Sequence, residues 1–169
     1  MFAAVISNKA VTQWLVLGLL VIMCWWRGAG PERASVSGLM IFGIFDPIYH
    51  WVSGRGVIYG AVDVGHLTLD CIVGGLFLAI AMRANRIYPL WLAGFQMIAV
   101  LSHVGRDLST SSAPLAYSIL TFLPSYLIIT TLCIGLASHI LRTARFGPYQ
   151  AWWNDCPPWK AAPRGGRVG

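Results

Sequence analysis

Charge is scarce in this sequence. Asp, Glu, Lys and Arg make up 11% of its 169 residues, where an ordinary soluble domain carries about 25%. With 57% hydrophobic residues and a mean hydropathy of +0.66, a chain of this length cannot cover a water-facing surface. A separate soluble domain is excluded, and lipid is the expected solvent for most of the exterior.

Cysteine is present without pattern. Of the four, Cys24, Cys71 and Cys133 lie in apolar runs and Cys156 lies in the polar tail, with no CxxC spacing. This argues against a disulfide framework or a zinc knuckle, and the first three read as small buried apolar side chains. Several catalytic signatures are missing too: there is no His-Glu-x-x-His, no Gly-x-Ser-x-Gly and no glycine loop ending in Lys-Ser or Lys-Thr. The Ser109-Thr110-Ser111-Ser112 run before Pro114 reads as a polar loop. No catalytic residue is assigned.

What is abundant is apolar sequence in long runs. A spanning helix needs about 20 mostly apolar residues, with about 17 sufficing. Residues 11–26, 64–82, 88–104 and 114–140 qualify, the last long enough to tilt or bend at Pro124, and residues 36–52 are as long as the third but carry Asp46, Pro47 and His50. The expected fold is an all-α polytopic transmembrane helix bundle of five spans, the alternative being four spans with 36–52 re-entrant or interfacial. Residues 1–146 would form the bundle and residues 147–169 a Pro-, Gly- and Trp-rich basic cytoplasmic tail.

The bases fix the orientation. With five spans, Arg27, Arg33, Arg83, Arg86, Arg142, Arg145, Lys160, Arg164 and Arg167 share one side, leaving Lys9, Arg55 and Arg106 on the other. Four spans weaken that bias to eight against four, so five spans and a cytoplasmic C-terminus fit the positive-inside tendency better. Trp14, Trp25, Trp26, Trp51, Tyr88 and Trp91 fall near span ends, as an aromatic belt requires. The indoles of Trp25 and Trp26 suit a retained first helix better than a cleaved leader. The net charge of +6 sits beside membrane segments, so anionic lipid at the C-terminal tail is the expected partner of these bases, and nucleic acid is not. His139 next to Arg142 is expected to snorkel at the inner interface.

Glycine has two candidate roles. Gly56-x-x-x-Gly60 reads as a tight hairpin more than a packing face, while Gly74-Gly75 inside a span is the better candidate for close helix contact.

Three of the four His stand four residues from an Asp: Asp46 with His50, His66 with Asp70, and His103 with Asp107. Positions four apart share a helix face. Asp63 extends the second stripe as a rim residue, and Gln96 shares the face of His103. In an antiparallel bundle these stripes lie at the same, non-cytoplasmic level. Ionisable groups within a span cost roughly 2.5 to 3.5 kcal/mol each on insertion scales, so they face the bundle and pair. His50, His66, His103, Asp46, Asp70 and Asp107 are therefore expected to converge. Three uses of such a cluster stay open: a hydrogen-bonded structural core, a metal or proton site whose ligand set suits zinc, iron or manganese, and haem ligation by facing His.

The stretch from His66 and Asp70 through Arg83-Ala84-Asn85-Arg86, Tyr88-Pro89-Leu90-Trp91 and Gly94-Phe95-Gln96 to His103 resembles small uncharacterised bacterial multi-pass inner-membrane proteins. The resemblance implies a bacterial cytoplasmic membrane and brings no activity. Small size, lipid-facing composition and the aromatic basic tail suggest an accessory subunit with protein partners in the membrane. The alternative is a metal-binding or proton-handling membrane protein.

Overall fold

The computed structural model describes the backbone of residues 2–53, 64–108 and 114–153, and the side chains of 11–52, 64–103 and 123–153. The described residues form five α-helices and no strand: α1 Phe2–Arg27, α2 Gly30–Ser53, α3 Val64–Arg83, α4 Tyr88–Leu108 and α5 Pro114–Phe146. Residues 36–52, the ambiguous segment, are one continuous helix with what precedes them. Among the described residues, two helices are long and apolar enough to cross a membrane, Val64–Arg83 and the Leu123–Phe146 part of α5, and Val11–Arg27 is a shorter apolar helix. The hairpin read over residues 54–60 lies outside the described residues.

The helix ends follow from local chemistry. Gly28 closes α1 by donating its N–H to Cys24 O at 2.9 Å, and a Cβ there would come within 2.4 Å of the same carbonyl. Only glycine fits so tight a turn. Pro31 stands in the first turn of α2, where a missing N–H costs nothing, and Glu32 accepts the N–H of Ala29 at 3.1 Å, one half of a capping box. Pro89 plays the same part at the start of α4. Gly147 follows α5 with φ of +79° and donates to Thr143 O at 3.0 Å, the left-handed stop that glycine supplies.

α3 is central, packed against α2 on one side and α4 on the other; α5 packs on α4, and α1 lies along α2 and α5. The core is Cys24, Val36, Phe77, Leu92 and Leu132, all fully buried. Leu15, Leu19, Ile22, Ile72, Leu78, Met82 and Ile134 point outward, so the apolar exterior expected from composition is present on α1, α3 and α5.

Glu32 is also the centre of the end of the bundle where α1 finishes and α2 begins. Fully buried, it pairs through Oε1 with Nη1 of Arg86 from the α3–α4 turn, whose side chain is 6% exposed. Residues 147–153, the start of the Pro-, Gly- and Trp-rich tail, form a strap over this end: Asn85 donates to Ala151 O at 3.1 Å and Trp153 to Arg83 O at 2.9 Å, making an isolated antiparallel bridge between Ala84 and Trp152. His139, expected to snorkel, is half-buried and shares a hydrogen bond of 3.1 Å with the Tyr149 hydroxyl. A run rich in Pro and Trp has no periodic signal, yet its two backbone bonds need only an exposed turn to pair with.

Two further expectations are corrected. Cys24 is buried, but Cys71 is exposed and Cys133 only partly covered, because these helices carry apolar side chains on their outward as well as their inward faces. Of the glycine pair, Gly74 packs beside Gln96 while Gly75 faces open space; closer approaches occur at Gly38 against Leu76 and Gly135 against Tyr88. A methyl at Gly135 would lie 2.7–2.8 Å from the Tyr88 ring, and a rigid aromatic cannot yield cheaply. Gly135→Ala should lower stability by about 1–3 kcal/mol despite its better helix propensity. Thermal unfolding in detergent checks this, with Gly18→Ala, which meets nothing within 4 Å, as the neutral control.

Candidate metal centre at one end of the bundle

The end opposite Glu32 and Arg86 gathers the His and Asp stripes. Asp46 and His50 come from the last turns of α2, His66 and Asp70 from the first turns of α3, Gln96 from near the middle of α4 and His103 from its second half. Helix periodicity puts each pair on one face, and the antiparallel course of α2, α3 and α4 puts the three faces together.

Asp70, 3% exposed, is the anchor. Its Oδ1 accepts from Gln96 Nε2 at 2.7 Å, and the same nitrogen lies 3.3 Å from the Asp70 carbonyl. Its Oδ2 faces His103 Nε2 at 3.0 Å and His66 Nε2 at 3.6 Å. On the other side of His66, Nδ1 meets Asp46 Oδ1 at 2.5 Å, and that oxygen is also 3.4 Å from His50 Nε2. The His50 and His66 rings are 6.1 Å apart and those of His66 and His103 5.4 Å. Three imidazoles and two carboxylates thus alternate across three helices.

His66 holds the middle of this chain with a carboxylate at each nitrogen. A neutral imidazole has a single N–H. If the short bond to Asp46 takes it, Nε2 presents a lone pair toward Asp70 and His103. The burial of Asp70 and the Gln96 bond fix the carboxylate that shares this space.

A cavity of about 240 Å³ opens beside them. Asp46, His66, Asp70 and His103 form its polar wall, with Gln13 of α1 and Ser125 and Tyr126 of α5 across from it and Leu17, Phe42 and Ile128 completing the lining. At about 30 Å³ per liquid water, several waters fit. A drug-sized ligand needs about 300–1,000 Å³, so the space suits an ion with its waters and is too small for haem. Pro47 and Pro124 sit in these walls' helices. Each lacks the N–H that a helix would use four residues back, which leaves the Gly43 carbonyl, at the cavity wall, without its usual helical donor.

Among the described residues, two groups of three ligand-type side chains lie with their ligand atoms within 4.8 Å of one another: Asp46, His50 and His66, and His66, Asp70 and His103. The second is the better buried. Two imidazoles and a carboxylate match the donor preferences of zinc, iron or manganese. The site residues expected from sequence therefore meet, with two exceptions of knowledge: Asp63 and the Asp107 side chain lie outside the described residues. Gln13, Ser125 and Tyr126 were not foreseen as lining residues; their signal was the isolated polar side chain in an apolar helix. Comparison with known proteins finds no matching family model, no similar curated protein and no similar solved structure.

Proposed function

We propose that this chain is a five-span membrane protein that holds one divalent transition metal ion near its non-cytoplasmic face, with His66, His103 and Asp70 as ligands. The observation that carries the reading is the meeting of those three side chains at a cavity wall while Asp46 holds the far nitrogen of His66. A carboxylate on the second nitrogen is how proteins fix the tautomer of a metal-binding imidazole. Three protein ligands leave a position for water, which a metal of this class would acidify and polarise.

The expected result for the purified full-length protein is about one zinc, iron or manganese ion per chain by elemental analysis, a stoichiometry following from one three-ligand site. Metal at background level in protein purified without chelator would overturn the proposal. The proton-handling reading has its own support in the unbroken series His50, Asp46, His66, Asp70, His103, and it predicts a metal-free protein. A role as accessory subunit in a larger assembly predicts co-purifying protein after gentle extraction, which the metal reading neither needs nor forbids.

The five-span topology draws support from α2. Its 24 residues would measure roughly 36 Å at 1.5 Å per residue, against a hydrocarbon core of about 30 Å. It contacts Arg86 at one end and His66 at the other. Its acids lower its hydropathy but face the protein. On a cysteine-free background, Ile87→Cys, at an exposed position of the α3–α4 turn, should resist an impermeant thiol reagent in intact cells and react after permeabilisation. Cysteine placed at position 7 should react in intact cells. Labelling of position 87 from outside would reverse the orientation, and protection of position 7 would favour four spans. The bacterial inner membrane is the proposed location.

A further inference from the structure

The inner end of the bundle contains a second cavity, of about 660 Å³, between the α3–α4 turn, the end of α5 and the strap. Its polar lining includes Asn85, Arg86, Ser138, His139, Arg142 and Tyr149, with the Tyr88 side chain beside them. No acidic side chain is among its described lining residues, and the nearest described acid, Glu32, is already engaged with Arg86 Nη1 and the N–H of Ala29.

Two guanidiniums meet at one aromatic ring here. Arg142 Cζ lies 4.3 Å from the Tyr149 ring centre and Arg86 Cζ 5.0 Å. The Tyr149 hydroxyl is fixed by His139. Arg86 Nε and Nη2 are buried with no hydrogen-bond partner among the described residues. Burial pushes the Arg86 guanidinium below its ordinary pKa, and the neighbouring Arg142 charge pushes it the same way, against the opposing influence of Tyr149 and Tyr88. With Glu32 balancing Arg86, the Arg142 charge is left over in a half-enclosed space beside two unused Arg86 donors, and together they call for an anion.

We infer that this cavity binds a phosphate group, either the headgroup of an anionic lipid in the inner leaflet or a small soluble phosphate. Arg142 supplies the charge and the forked donor that matches phosphate oxygens, Arg86 supplies its two unused N–H donors, and Asn85 and Ser138 add neutral polar groups. The inference is independent of the metal centre at the opposite end.

The test uses the full-length protein in two arms. In one, delipidated protein in non-ionic detergent is titrated with inorganic phosphate by calorimetry. In the other, protein from phosphatidylcholine nanodiscs containing phosphatidylglycerol is released for native mass spectrometry, and retained phosphatidylglycerol is counted. Binding is expected in at least one arm, about tenfold weaker for Arg142→Gln, the loss of one charge-assisted contact. Arg145→Gln, which removes an equal charge from the same exposed helix end without lining the cavity, is expected to stay within about twofold, as an exposed charge does. Binding in the second arm alone identifies a lipid headgroup; binding of inorganic phosphate identifies a soluble ligand. No binding in either arm, or Arg142→Gln weakening it no more than Arg145→Gln, overturns the inference. Should Arg142→Gln fail to fold, Arg142→Lys keeps the charge but not the fork and should weaken binding in the same direction.

Discussion

His66→Gln is expected to take bound metal from about one ion per chain to background, and His103→Gln to do the same. Each substitution removes one of three protein ligands, and Gln offers a neutral amide oxygen that divalent zinc, iron or manganese rarely accepts in place of imidazole. The companions separate ligand from support. Asp46 touches His66 through Nδ1, so Asp46→Asn should keep the metal with about 10- to 100-fold lower affinity, the usual cost of losing an outer hydrogen bond to a ligating imidazole. His50 meets only Asp46 within this ionic series, so His50→Gln should keep most of the metal. Elemental analysis after dialysis against a weak chelator gives the ranking. If all four variants lose metal equally, the cluster acts through folding and not through ligation.

The fold was legible in outline because its signal is coarse. Runs of about 20 apolar residues are helices in lipid, and all five segments are helical. The meeting of His50, His66 and His103 was legible for the same reason: a spacing of four fixes a face, alternate helix direction fixes a level, and lipid penalises any stripe left outside. Gln96 was visible on the face of His103, though its bond to Asp70 was not.

What was hidden depends on approaches that no local pattern records. Cys71 and Cys133 sit in helices as apolar as that of Cys24, yet only Cys24 is fully buried while Cys133 is partly covered and Cys71 exposed, because a helix apolar all round does not show in its sequence which face turns inward. Gly38 and Gly135 carry closer contacts than Gly75, since closeness is decided by which side chain lies across the interface. The strap could not be read either: it pairs Ala84 with Trp152 across 68 positions, and its sequence has no period. The Glu32–Arg86 pair was the largest omission. Glu32 carried no signal that singled it out and Arg86 read as one more base beside an apolar segment, so nothing local joined two residues 54 positions apart.

That pair should produce the largest stability effect in the molecule. Glu32 is fully buried and the Arg86 side chain nearly so, so removing the acid alone strands a charge that water cannot reach. Glu32→Ala should cost about 3–5 kcal/mol, a large share of the 5–15 kcal/mol of a typical domain. Glu32→Gln should cost less, since its amide oxygen still accepts one bond, from Ala29 or from Arg86 but not both with the strength of a carboxylate. Arg86→Gln strands the acid in turn. The double replacement Glu32→Gln with Arg86→Gln removes both charges, and its cost should fall well short of the sum of the singles, because the attraction between buried charges largely repays their desolvation and little else. Reversible unfolding in mixed micelles measures the cycle, and salt should leave it nearly unchanged because a buried pair is poorly screened. Single costs that simply add would mean the two side chains are held by their surroundings and not by each other. The non-additive result would make the pair the joint between the α1–α2 turn, the α3–α4 turn and, through the Tyr149 ring that Arg86 touches, the strap.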